Sequence, residues 1–245
     1  VIDIVFMCFL VVHVATGATG LVTFWVPVVG RKGAANHRRW GRIFYNCLLV
    51  TAAMAVGMSI CSLLDPLGTH PKLDDAELVR GLFGWMMLYL AILTVSLCWH
   101  GLLVLRHKSN HAANREWPNV ALQLVVIVAA LNCAYQGWRI DQVLMMGISL
   151  VGIASGATNL YFAFKANPGR SDYLKEHVKA LVGAGISVYT AFLAFGAVRL
   201  MPHNAFSPTL WAIPLVTGIA MIVYHQFQID RKAKRLRVNA AALAP

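Results

Sequence analysis

Long runs without a single charged residue alternate with short basic or acidic segments along this chain. No Asp, Glu, Lys or Arg occurs in 4–30, 43–64, 81–105, 117–138, 142–164, 180–198 or 200–229, and the dense apolar part of the last run is 210–227. A helix crossing the hydrocarbon core needs about 20 apolar residues. Spanning β-strands need only about 9–11, alternating in polarity. Inside lipid every backbone N–H and C=O must be paired, and a helix pairs its own. The pattern predicts an all-α fold, an integral membrane bundle of seven transmembrane helices. Residues 1–230 form the transmembrane domain and 231–245 a basic tail. The first run has no basic flank or small-residue cleavage site, so it is expected to be a retained span rather than a cleaved leader.

Composition agrees with lipid as the solvent. The 245 residues are 58% hydrophobic and only 13% charged, against roughly 45–50% and about 25% in soluble domains. The net charge of +11 would suit a nucleic-acid partner, but its placement argues against one. Arg31, Lys32, Arg38, Arg39 and Arg42 lie between the first two runs, and Arg106, Lys108 and Arg115 between the third and fourth. Lys165, Arg170, Lys175 and Lys179 lie between the fifth and sixth, and Arg231, Lys232, Lys234, Arg235 and Arg237 follow the last. The remaining segments hold Lys72, Arg80, Arg139 and Arg199, together with Asp65, Asp74, Asp75, Glu77 and Asp141. The positive-inside rule then predicts the N-terminus outside and the C-terminus cytoplasmic. The expected partners are the bilayer and its anionic headgroups at the basic loops and tail. A homodimer or a membrane-protein partner stays open, and nucleic acid is excluded.

Trp25, Trp40, Trp85, Trp117, Trp138 and Trp211 fall near the ends of the runs, where amphipathic rings favour the interface, and Trp99 lies deeper. Cys8, Cys47, Cys61, Cys98 and Cys133 are dispersed one by one, without a C-x-x-C pair, and read as small apolar packing residues. Gly17 and Gly20, Gly152 and Gly156, and Gly183 and Gly185 mark places where helices can approach closely; packing within the bundle is the plainer reading and dimerisation the alternative. Asn167-Pro168-Gly169 signals a turn, and Ser171-Asp172 a cap for the following helix.

Chemistry points to histidine. No Lys lies inside a run, which argues against a retinal Schiff base. Gly152-Ile153-Ala154-Ser155-Gly156 lacks both the Gly two before the serine and a placed His that an intramembrane serine protease needs. Of nine histidines, His13 lies mid-run in the first span, His100 in the third and His225 in the seventh. The last two sit about six or seven residues past their helix centres, a shared depth of about 10 Å below the midplane. His37 lies in the first basic segment and His177 at the start of the sixth helix. His107 and His111 share a face with His100 if that helix continues. Two histidines at equal depth suit a bis-His haem b, with His13, His100 and His225 the axial candidates. His37, His100, His177 and His225 are the candidate ligands of a divalent metal, with Glu176 as base or ligand. The plainer alternative is that these rings bond neighbouring polar groups.

The stretch His13-x3-Gly17-x3-Leu21, then Arg31-Lys32-Gly33-x3-His37-Arg38-x2-Gly41-Arg42-Ile43-Phe44, with Glu176-His177-Val178-Lys179-Ala180 and Thr190-Ala191-Phe192-Leu193, resembles an uncharacterised bacterial family of predicted multi-pass membrane proteins. The resemblance covers about half the chain. It implies a bacterial inner membrane location and a role for His13, His37 and His177, but no activity. A fainter likeness to dihaem b-type cytochromes rests on intramembrane histidines alone, since their paired spacing is not reproduced. Gly33 and Gly41 are expected to allow tight turns in the basic segment, where an isoprenoid or lipid phosphate could bind. Three functions remain open: a haem- or metal-binding redox protein, a metal-dependent lipid hydrolase, and a cofactor-free accessory subunit or carrier.

Overall fold

The computed structural model describes residues 1–193 and 208–242, and among these there are helices and turns but no strand. Helix α1 spans Ile2–Val29 and α2 spans Ala35–Leu64. Two single-turn helices follow, α3 (Pro66–Thr69) and α4 (Ala76–Val79), then a π-helical stretch Arg80–Met86 that leads into α5 (Met87–Arg106). After a 3-10 turn at His111–Arg115 come α6 (Trp117–Arg139), α7 (Val143–Phe164), α8 (Asp172–Ala191) and α9 (Pro208–Ala242). Among the described residues, six helical stretches are long and apolar enough to cross a membrane: Ile2–Val29, Ala35–Leu64, Ala76–Arg106, Trp117–Arg139, Val143–Phe164 and Ala212–Leu236. The chain is thus a multi-pass, all-helical protein compatible with a bilayer. The sixth of the seven expected spans coincides with α8, whose first turns carry Asp172, Lys175, Glu176 and Lys179; its residues 194–198 lie outside the described part, as does the start of the last run.

Several boundaries differ from expectation. The basic segment before the second span is mostly helix, because α2 begins at Ala35 and Arg38, Arg39 and Arg42 are good helix formers. Gly41 therefore lies within a helix and makes no turn, whereas Gly33 sits at φ 75°, the left-handed region that glycine tolerates. Helix α5 stops at Arg106, so His107 and His111 do not continue the face of His100. Ser171 makes no side-chain cap on α8. Asp172 folds back instead, accepting from the Gly169 N–H at 2.9 Å and from Lys165 at 2.6 Å. Helix α9 runs without a break from Pro208 to Ala242 and so continues into the basic stretch 231–237.

The chain forms two compact units, Val1–Cys98 with Val120–Leu160, and Trp99–Asn119 with Tyr161–Pro245. In the first unit α1 and α2 pack antiparallel through small residues. A Cβ at Gly17 would meet Thr51 at 3.5 Å, at Gly20 Leu48 at 3.0 Å, and at Gly57 the Phe9 ring at 2.6 Å. Gly152 lies against Tyr89 and Gly156 against Ile127 and the Gln123 carbonyl, so this small pair serves packing within the chain. A polar node joins three helices of the same unit. Gln123 Oε1 accepts from Ser96 Oγ at 2.9 Å and from Asn159 Nδ2 at 3.0 Å, with all three side chains buried. In the second unit α8 and α9 also run antiparallel. Lys175 pairs with Asp230 at 2.6 Å, and Gly218 faces Ile186 three turns further along. All five cysteines are free thiols.

Candidate functional site

The strongest concentration of ionisable groups away from water is in the second unit, where α5 meets α8. His100 lies on the first turns of α5 that belong to this unit, and its side chain is 0% exposed. Its Nε2–H donates to Glu176 Oε2 at 3.2 Å, and Lys179 Nζ reaches the same oxygen at 2.6 Å from one turn further along α8. Gly101 makes the approach possible. A Cβ there would stand 2.9 Å from Leu181 and 3.2 Å from Ala180. With the helices this close, His177 Nδ1 donates to the Gly101 carbonyl at 2.7 Å. His100 Nδ1 has no partner among the described residues. That arrangement favours the neutral ring protonated at Nε2, because a second proton would put an unsatisfied donor in an apolar surrounding.

The electrostatics of the carboxylate follow from the same contacts. The negative charge of Glu176 faces the ammonium of Lys179, and the His100 N–H lies on the same carboxylate oxygen. Around the cluster the packing is aromatic. Phe162 stands edge-on to His100 (centroids 6.2 Å), His111 (5.1 Å) and Tyr173 (5.4 Å). Arg115 Nε donates to the Ala163 carbonyl at 3.0 Å and its guanidinium lies over Phe164, closing the end of α7. Asp172 is desolvated, yet Lys165 and the Gly169 N–H hold it below the usual carboxylate range.

His13 and His37 are bound to carbonyls within the first unit, and His225 lies on α9 of the second. His13 Nδ1 donates to the Thr51 carbonyl at 3.0 Å, within a polar contact that includes Thr16 Oγ1 and Thr51 Oγ1 at 2.8 Å. His37 Nδ1 donates to the Pro27 carbonyl at 3.1 Å. Lys32 Nζ donates to Pro27 O at 2.9 Å and to Val28 O. The Lys-Gly-x3-His motif is therefore a C-terminal cap. It brings a cation and an imidazole to carbonyls that α1 leaves open and that carry the negative end of its dipole. His225 lies on α9 with its ring edge-on to Tyr224. Among the described residues no three of His, Cys, Asp or Glu come together in an arrangement able to hold a metal ion. Of the named candidates, the structure joins His100, His177 and Glu176 at one place.

Lys179 and the Gln123 node were not singled out from sequence. Lys179 stands three residues after Glu176, a spacing that on a helix signals an ion pair. Gln123, Ser96 and Asn159 are single polar residues in three separate apolar runs, and nothing in one dimension ties them together. No protein-family model, curated protein or solved structure matches the chain.

Proposed function

We propose that the protein is a cofactor-free, proton-coupled carrier of the bacterial cytoplasmic membrane, with seven spans, the N-terminus outside and the C-terminus inside. The observation that carries this reading is the fully buried His100 bound to Glu176 and, through it, to Lys179. Ionisable side chains at membrane depth are costly, and where they are kept they mark ion or proton pathways. A His–carboxylate pair exchanges a proton within one hydrogen bond, and Lys179 at the rim sets the charge the pair must balance. The topology draws support from the positive-inside distribution and from the antiparallel α8 and α9, since Lys175 and Asp230 can pair only if α9 returns to the level where α8 begins.

The haem or divalent-metal reading draws on one feature. His13, His37 and His177 each hold Nδ1 on a backbone carbonyl, leaving Nε2 basic, as metal-ligating histidines do. These rings do not gather into a ligand set, so the carrier is preferred. The resemblance to the uncharacterised bacterial membrane family agrees with the location proposed and adds no activity.

Purified protein in vesicles loaded with a pH-sensitive dye, challenged with a panel of small organic anions and amines, tests the proposal. The expected outcome is solute-dependent proton movement that Glu176→Gln abolishes while helicity and melting stay close to wild type. Proton movement that survives Glu176→Gln and His100→Gln would remove the centre from the mechanism. A Soret band in the same sample would return the histidines to haem.

A further inference from the structure

The first unit carries a groove of about 450 Å³ between the start of α5 and the middle of α6. Its walls are Trp85 and Tyr89 on one side and Leu124, Val128, Ala129 and Asn132 on the other. We propose that this groove binds a lipid-soluble planar carbonyl compound with an apolar tail, of the prenylated quinone class.

The walls are built and rigid. Tyr89 is 1% exposed, its hydroxyl donates to the Ile148 carbonyl at 2.9 Å, and its ring is pressed against Gly152. Trp85 belongs to the π-helical stretch Arg80–Met86, whose wider turn sets its position relative to Tyr89 on the regular helix that follows. Such interruptions of an α-helix recur at functional sites. Tyr89 is a fixed, buried backing to the groove, and the half-buried Trp85 is the ring that a flat ligand would meet. A volume of this size lies within the usual range for small-molecule sites, roughly 300–1,000 Å³, and holds a ring with a short chain.

The mouth faces the hydrocarbon. Leu124 and Val128 are 50% and 66% exposed, on a helix whose two terminal tryptophans, Trp117 and Trp138, are 80% and 70% exposed, as residues at the two interfaces would be. Whatever occupies the groove therefore arrives dissolved in the bilayer.

The one polar wall residue selects the ligand. Arg139 Nη1 donates to Gln136 Oε1 at 3.2 Å, and Gln136 Nε2 donates to Asn132 Oδ1 at 3.5 Å. These contacts run along one face of α6, Gln136 approaching Asn132 Oδ1 only at the limit of a hydrogen bond, and Asn132 keeps Nδ2–H groups to offer on the groove wall. With Val128 midway along α6, Asn132 stands about 6 Å from the midplane and about 10 Å inside the level of Arg139. That depth is well within a hydrocarbon core extending about 15 Å to either side. Ester carbonyls of ordinary phospholipids stay at the edge of the core. An amide donor so deep wants an acceptor that itself dissolves there, and a carbonyl on an apolar ring is such a group.

The test uses the full chain in nanodiscs of one ester-linked phospholipid, titrated with a benzoquinone bearing two isoprene units. Saturable binding at one site per chain is expected. Ala129→Phe should fill the groove and abolish it, and Asn132→Leu should weaken it about tenfold, the worth of one hydrogen bond. Circular dichroism and melting of Asn132→Leu, a substitution of similar size at a half-exposed position, check that the fold is kept. Linear, unsaturable partitioning equal in wild type and both variants would overturn the proposal. So would saturable competition by a phospholipid with brominated chains that is indifferent to Asn132→Leu, since the groove would then be an acyl-chain cleft.

Discussion

Gln123 shows what one buried polar atom can hold together. Its Oε1 receives two donors from two other helices, Ser96 Oγ and Asn159 Nδ2, in a region where no water competes. Hydrogen bonds between membrane helices contribute modestly, about 0.6 kcal/mol on average and up to about 1.7. Removing the shared acceptor costs more, because two donors are left unpaired together. Gln123→Leu is therefore expected to destabilise the fold by about 2 kcal/mol, measured as a lower midpoint in detergent unfolding. Gln123→Glu, which keeps the acceptor oxygen, is expected to lose less at a pH where its carboxyl stays protonated. The node was illegible in the sequence because its members lie in three different runs, and only the helix phases bring them together. His100 and Glu176 were legible as candidates for a related reason. A His within an apolar run and a Glu before one break the pattern. Which partner each would choose depended on Gly101 letting α5 and α8 approach, and no spacing rule reports that.

At the scale of the element, six of the seven runs of uncharged residues coincide, among the described residues, with helices long and apolar enough to cross a membrane, since a backbone in lipid has few alternatives to the helix. They located the ends poorly. The second helix starts at Ala35, eight residues before the apolar run, because Arg38, Arg39, Trp40 and Arg42 continue the helix into the headgroup region. The Lys-Gly-x3-His string was visible as a motif, but its purpose was not. Gly33 at positive φ turns the chain so that Lys32 and His37 both reach the last carbonyls of α1. This explanation predicts separate small losses. Lys32→Ala and His37→Ala are each expected to lower stability by about 1 kcal/mol, and Gly33→Val, at a φ that a β-branched residue resists, by more. Thermal melting in detergent reads all three. If His37→Ala melts as wild type does, the imidazole is not a cap and its role must be sought in ligand binding.

For the molecule as a whole, the decisive element is α8, because it sets the side on which the chain ends. Its first turns carry Asp172, Lys175, Glu176 and Lys179, which sets it apart in composition from the six membrane-length helices. Yet Glu176 and Lys179 neutralise each other, Lys175 is paired with Asp230, and Asp172 with Lys165. The charges are thus matched at one end of the helix, and the residues from Ala180 onward are free of them. The paired levels of Lys175 with Asp230 and of Ile186 with Gly218 make α9 the antiparallel return of α8. A chain that left α8 lying on the surface would start α9 from the same side and carry Asp230 to the opposite one, breaking the Lys175 pair. Seven crossings put Lys234 on the same side as the basic segment after α1, and six put it on the other. Single cysteines at Lys72 and Lys234, in a background with the five native cysteines replaced, separate the two. With seven spans, a membrane-impermeant maleimide labels Lys72→Cys in intact cells and reaches Lys234→Cys only after permeabilisation. Labelling of Lys234→Cys in intact cells would leave six spans and would set the His100–Glu176 contact at the end of a helix that does not cross.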